Sequence, residues 1–222
     1  MRAATTIQKA KGISLRFLIV ATIFLGALLV FIFIADEMVL ENENHLDLIA
    51  FEMLKPVTNA LMTKVMVFIT FFGSNYFLLP AYILLVGYFL LFKKTRALSL
   101  DVAAVGITST IILFSLKAIF HRLRPVDPIV KNVMGFSFPS GHSFCSFTFF
   151  GLLIYILWNH EMHPVVQWAL TIFFFLFACA IAFSRVYLHV HYASDVIAGF
   201  FLCAVWLGFS FWIIKKYKHK LS

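Results

Sequence analysis

The run Phe17–Ala35, FLIVATIFLGALLVFIFIA, holds nineteen residues without one Asp, Glu, Lys or Arg. A helix needs about 20 mostly apolar residues to cross the hydrocarbon layer. Inside that layer a helix satisfies its own backbone, so an apolar run of this length reads as a membrane span. Arg2, Lys9, Lys11 and Arg16 precede the run, as basic residues precede a secretory signal. No A-x-A-like cleavage site follows, and the run exceeds an ordinary signal core, so a true span is expected.

The same test, carried outward, finds five more spans: Tyr76–Phe92, Leu98–Phe120, Ser143–Trp158, Val165–Ser184 and Val196–Ile214. Val65–Phe92 is uncharged throughout and longer than one span requires. Gly73, Ser74, Asn75 and Pro80 interrupt it, which places the start of the second span near Tyr76. The preceding segment, Leu46–Phe72, mixes apolar residues with Glu52, Lys55 and Lys64 and predicts a helix lying along the interface.

Composition agrees. Hydrophobic residues make up 62% of the 222-residue chain and charged residues 13%. A soluble domain carries about 25% charged residues, so a soluble globule is excluded, and so is a disordered chain. Cys145, Cys179 and Cys203 all lie in apolar stretches and read as small hydrophobes, not as a disulfide or zinc framework. With no repeat or linker evident, the expected architecture is all-α: one domain over residues 1–222, an integral membrane bundle of six transmembrane helices with an interfacial helix after the first span.

Lys and Arg placement gives the orientation, because cytoplasmic loops carry the excess. Eleven of the 18 basic residues fall on one side: the four before the first span, Lys93, Lys94 and Arg96, and Lys215, Lys216, Lys218 and Lys220. The first loop on the other side holds Asp36, Glu37, Glu41, Glu43, Asp47 and Glu52. Both termini are therefore expected in the cytoplasm. The net charge of +8 reflects this topology and attraction to anionic lipid heads, with no nucleic-acid partner expected.

Lys117, Arg122, Arg124, Lys131 and Arg185 break that pattern by falling on the outer side. One such residue would read as a snorkelling side chain. Five, with histidines beside them, suggest a site for phosphate. They belong to three dense strings: Lys117-x6-Arg124-Pro125, Pro139-Ser140-Gly141-His142, and Ser184-Arg185-x5-His191-x3-Asp195. Lys117, Arg124 and Arg185 can neutralise equatorial phosphate oxygens. Ser140 and Gly141 open a predicted helix, where backbone N–H groups and the dipole favour an anion. Ser140 adds a hydroxyl donor there, and Gly141 permits close approach. His191 and Asp195 are four apart and would share a helix face, with Asp195 holding Nδ1–H and leaving Nε2 free.

Together the strings resemble the three-part signature of the type 2 phosphatidic acid phosphatase superfamily of membrane lipid phosphatases. All eleven specified positions match, in order, across residues 117–195. Ala193 departs from the Pro that many relatives carry before the Ser-Asp pair, at a position without a catalytic group. The resemblance implies that His191 is the nucleophile, through a phosphohistidine, and that His142 protonates the leaving oxygen and then activates water. Two histidines starting in opposite protonation states give a bell-shaped dependence of rate on pH. It implies no cofactor and no metal, and a membrane lipid as substrate: phosphatidylglycerophosphate, undecaprenyl pyrophosphate or phosphatidic acid. The compact chain and the absence of organelle signals suggest a multi-pass protein of a bacterial plasma membrane, and the charge pattern leads to the expectation of an active site facing outward. Oligomeric state is not legible.

Outside the signature, His121 and Arg122 suit a lipid headgroup or solvent equally, and His189 reads as an interface residue. His45, His160, His163 and His219 receive no role. The spacing is not that of an H-E-x-x-H zinc site. A phosphotransferase using the same site remains an alternative, as does a phospholipid-binding or transport protein without catalysis. Transporters, however, place their charges near the bilayer midplane, whereas these gather at span ends.

Overall fold

The computed structural model describes residues 2–41, 45–131 and 133–221. Glu43 lies outside the described residues, as do the side chains of Arg2, Lys9, Lys11, Arg16, Lys218 and Lys220. Every regular element among the described residues is helical. The helices are α1 (Arg2–Ile34), α2 (His45–Leu54), α3 (Ala60–Phe71), α4 (Asn75–Gly87), α5 (Arg96–Phe120), α6 (Gly141–Trp158), α7 (Pro164–Tyr187) and α8 (Ala193–Leu221). Wider turns continue α1 through Ala35–Leu40 and α4 through Tyr88–Phe92.

Among the described residues, six segments are long and apolar enough to cross a membrane: Leu18–Leu40, Ala60–Phe92, Arg96–Phe120, Gly141–Trp158, Pro164–Tyr187 and Ala193–Lys216. Leu18, Ile23, Phe173 and Leu176 are among the large apolar side chains left exposed on them, as lipid contact requires.

The second span differs from the expectation. The helix expected over 46–72 is two helices, and only α2, followed by a short turn at Lys55–Val57, stands apart from the spans. Pro56 lies in that turn and cannot supply the N–H that would continue α2. Asn59 then caps α3, its side-chain oxygen accepting from Met62 N at 2.9 Å. Lys64 is exposed one turn into α3, at the rim, where an ammonium group reaches the headgroups from a spanning helix. The expected break is real, but it falls within the span, between α3 and α4. A Cβ on Gly73 would stand 2.5 Å from Ile181 Cγ2 and 2.8 Å from Ser146 Oγ, so only glycine lets the broken segment press against α6 and α7.

The core is built around α6. Half of its span is buried, against 11% for Ala60–Phe92. It packs chiefly on α7 and α8, while α1 closes on α8 and α5 on α4. The phenylalanines divide between two environments: Phe144, Phe149 and Phe150 fill this core, whereas Phe173 and Phe175 face outward. Ser140 N donates to Asp195 O at 3.1 Å and Ser143 Oγ to Val196 O at 2.8 Å, which joins the starts of α6 and α8. The alternating spans thus bring the end of α5, the start of α6, the end of α7 and the start of α8 to one end of the bundle.

Candidate active site

The last turn of α5 sets the first string in place. His121 closes the helix in the left-handed region at φ 48°, its N–H bonded to Lys117 O at 3.2 Å. Such a cap satisfies a terminal carbonyl and turns the chain out of the helix. The loop that follows doubles back, with Ser137 N donating to Arg122 O at 2.8 Å. Lys117 Nζ donates to Phe136 O at 2.6 Å and Ser137 O at 3.3 Å. Arg124 donates through Nε to Gly135 O at 2.9 Å and through Nη2 to Met134 O at 3.2 Å. Both cations are therefore held in fixed positions by carbonyls of residues 134–137.

The second string starts α6. Ser140 is its N-cap, and its Oγ accepts a long 3.5 Å bond from Ser143 N. Capping uses a lone pair, so the hydroxyl hydrogen can still donate. The first-turn N–H groups of an α-helix have no acceptor within the helix, and Gly141 and His142 occupy that turn. A Cβ on Gly141 would stand 3.1 Å from Leu113 Cδ2, which is the close approach of α5 to α6 beside Lys117. His142 lies within electrostatic reach of Arg185, His191, Arg124 and Lys117.

The third string spans the end of α7 and the start of α8. Arg185 is buried, and its Nη1 donates to Thr70 Oγ1 of α3 at 2.7 Å. Its Nε is buried without a protein partner among the described residues, a donor of the kind an oxyanion satisfies. His191 does not share a helix with Asp195 as expected, because α8 begins only at Ala193. The two meet instead at the helix entrance. Asp195 Oδ2 accepts from Tyr192 N at 2.9 Å, so the carboxylate caps α8 and sits at its positive end.

His191 is 2% exposed. Its Nε2 lies 3.2 Å from Arg124 Nη1, which also donates to Val190 O at 2.7 Å. A guanidinium has no lone pair to offer, so Nε2 is the acceptor and the ring hydrogen resides on Nδ1. Nδ1 stands 3.4 Å from Asp195 Oδ2 and 3.3 Å from Ser137 Oγ, and that hydroxyl itself donates to Asp195 Oδ2. Burial pushes the imidazole down to about 3, against the opposing hydrogen bond and charge of Asp195 and with help from Arg185 and Arg124. At neutral pH the ring is uncharged, oriented through Nδ1, and has its lone pair on Nε2.

The structure thus brings together Lys117, Arg124, Ser140, Gly141, His142, Arg185, His191 and Asp195. Lys131 is exposed on the loop. His189, at φ 54°, packs at a tilt against Phe51 of α2, with centroids 4.4 Å apart. Ser137, Ser194 and Asp47 escaped the sequence reading, and Arg122, grouped there with the outer cations, has contacts that its spacing did not announce. Ser137 bridges His191 and Asp195. Arg122 is neither solvated nor at a headgroup: its Nη1 bonds Asp195 Oδ1 at 2.6 Å and Ser194 Oγ at 2.7 Å, and its Nη2 bonds Asp47 Oδ2 at 2.9 Å. Asp47, counted as part of an acidic loop, is 1% exposed. Its visible signal was an acid within the apolar run His45–Phe51.

Among the described residues, no three His, Cys, Asp or Glu side chains converge to hold a metal ion. The arrangement is instead a cationic cage with a neutral, aligned imidazole and a second histidine beside it. Such a set can bind a multiply charged oxyanion, attack it and move one proton.

Comparison with known proteins places the chain in a family by sequence and by fold. The profile of the PAP2 superfamily matches residues 98–218. Phosphatidylglycerophosphatase B of Bacillus subtilis (strain 168) is 28% identical over 165 residues, 72% of this chain and 77% of that protein. Undecaprenyl-diphosphatase of Sulfolobus acidocaldarius is 30% identical over 156 residues, 68% of this chain and 69% of that one. The crystal structure of a transmembrane PAP2-type phosphatidylglycerolphosphate phosphatase from Bacillus subtilis superposes with a TM-score of 0.77 at 26% identity, covering 90% of this chain and 97% of that one.

Proposed function

This chain belongs to the PAP2 superfamily and is a membrane lipid phosphatase, and we propose that it hydrolyses a lipid phosphate monoester or diphosphate without a metal, through a phosphohistidine at His191. The observation that carries this reading is the Nε2 lone pair of His191, set beside Arg124 and backed through Nδ1 by Asp195 and Ser137.

The phosphoryl group enters among Lys117, Arg124, Arg185 and the first turn of α6, where Ser140 and Gly141 sit. Nε2 attacks phosphorus and a P–N bond forms while the bond to the leaving oxygen breaks. His142 gives its proton to that oxygen, releasing the lipid alcohol or, from a diphosphate, the lipid monophosphate. His191 then carries an imidazolium-like charge opposite Asp195. In the second step His142 takes a proton from water, the water oxygen bonds to phosphorus, and the P–N bond breaks to release inorganic phosphate. Three fixed cations neutralise the phosphoryl oxygens throughout.

Phosphatidylglycerophosphate, undecaprenyl pyrophosphate and phosphatidic acid are the candidate substrates. The names of the relatives support the first two, and the cage itself reads only the phosphoryl group. The charge pattern supports cytoplasmic termini and a site facing outward, with the lipid tails remaining in the bilayer. The test is phosphate release from each of the three lipids by detergent-purified protein in EDTA, with His191→Ala alongside. Release that survives EDTA and vanishes in the variant is expected. Equal release from both proteins would overturn the assignment.

A further inference from the structure

Asp195 has two oxygens with different duties. Oδ2 serves Ser137, Tyr192 N and the His191 ring. Oδ1 is bonded by Arg122 Nη1 at 2.6 Å. A buried guanidinium beside a buried carboxylate normally makes a neutral pair, which would leave little negative charge for a neighbouring ring. Here Arg122 is shared with a second carboxylate. Asp47 Oδ2 accepts from Arg122 Nη2 at 2.9 Å, while Asp47 Oδ1 accepts from Ser194 N at 2.8 Å. Ser194 Oγ donates to Asp47 Oδ2 at 2.6 Å. The Arg122 guanidinium also lies over the Tyr192 ring, 4.2 Å from its centroid. Asp47 belongs to α2, outside the signature residues, and reaches the site from the short helix between the first two spans.

We propose that Asp47 and Arg122 are positioning residues for the His191–Asp195 pair. Arg122 fixes Asp195 so that Oδ2 faces Nδ1, and Asp47 offsets the charge of Arg122 so that Asp195 keeps its effect on the ring. Among the described residues, the two carboxylates outnumber the one guanidinium of this cluster by one negative charge. That charge opposes the positive charge that develops on His191 when its Nε2 bonds to phosphorus. Without Asp47 one negative charge is lost from beside the Arg122–Asp195 pair, and the charged ring loses part of its counter-charge. The same contacts make α2 part of the catalytic geometry.

This inference rests on the reading of His191 as nucleophile, and the test separates the two. Asp47→Asn, Asp47→Asn with Arg122→Gln, and His191→Ala are assayed on whichever of the three lipids the wild type hydrolyses fastest, with the Tm of each recorded. Asp47→Asn is expected to lower kcat by about tenfold or more, the scale of one uncompensated charge near the reacting ring. KM should stay within about twofold, since Asp47 lies behind the phosphate cage and not in it. The double variant, which again leaves one net negative charge at Asp195, should recover several-fold of the lost kcat. A purely structural role for Asp47 would lower Tm and leave the double variant no better than the single one. Wild-type kcat in Asp47→Asn, or no recovery in the double variant, overturns the inference alone. Full activity in His191→Ala overturns the reading beneath it as well.

Discussion

Arg124 Nη1 lies 3.2 Å from His191 Nε2, so a single guanidinium both fixes the ring's tautomer and stands where the proposed mechanism brings the phosphoryl group. Three further bonds, to Met134, Gly135 and Val190 carbonyls, hold its plane.

Arg124→Lys keeps the charge but loses the fork that makes those bonds together. It should lower kcat/KM by about a hundredfold, the usual cost of a misplaced transition-state donor. Steady-state phosphate release checks this, and a lysine variant with near wild-type kcat/KM would mean that charge alone suffices.

His191 should remain neutral far below the ordinary imidazole range. An unfolded histidine titrates near 6.5, roughly, whereas the fold holds this one near about 3. The native state therefore prefers the neutral ring. The resulting stabilisation is complete above about pH 6.5 and is lost as pH falls toward about 3. Nitrogen-15 spectra of labelled histidine should show the His191 ring unchanged from pH 7.5 to 5, and His191→Gln should flatten the acid-side fall of Tm.

Much of the fold was legible in the sequence because a membrane span is a property of one continuous segment. Phe17–Ala35 declares itself by length and lack of charge. The second span did not, because Lys64 imitated an interfacial helix and the Gly73 break imitated a span boundary. Only packing against α6 and α7 reveals why the chain breaks there. Lys117, Arg124, Ser140, Gly141, His142, Arg185, His191 and Asp195 gather because each string sits at a helix end, although His191 and Asp195 meet at a helix entrance and not along one helix face. The contacts that join Asp47, Arg122, Ser137 and Ser194 to the site were hidden for the opposite reason. Asp47 meets Arg122 across 75 positions of chain, and no local pattern encodes that pairing.

Gly73→Ala should damage activity. The new methyl group would stand 2.5 Å from Ile181 Cγ2, 2.8 Å from Ser146 Oγ and 3.2 Å from His142 Cδ2, so the helix break or the side chains around it, His142 among them, must shift. Overpacking of this kind costs about 1–3 kcal/mol. A measured loss of Tm together with a larger proportional loss of kcat is expected. Unchanged kcat would separate the break from His142.

Thr70→Val removes the 2.7 Å bond to Arg185 Nη1 while keeping the volume of the side chain. A hydrogen bond to a charged group is worth about 1.5–3 kcal/mol. With water or phosphate compensating in part, kcat/KM should fall by roughly tenfold. Wild-type kinetics would show that Arg185 needs no support from α3.

The most direct test of the central claim is to trap the phosphorylated protein. Rapid quenching with phosphorus-32-labelled lipid in EDTA should capture label on the wild type, acid-labile and base-stable, and peptide mapping should place it at His191. His142→Ala should retain the label longer, because the water that clears it lacks its base. Label at another residue, or turnover in the wild type with no label at any quench time, would contradict the account.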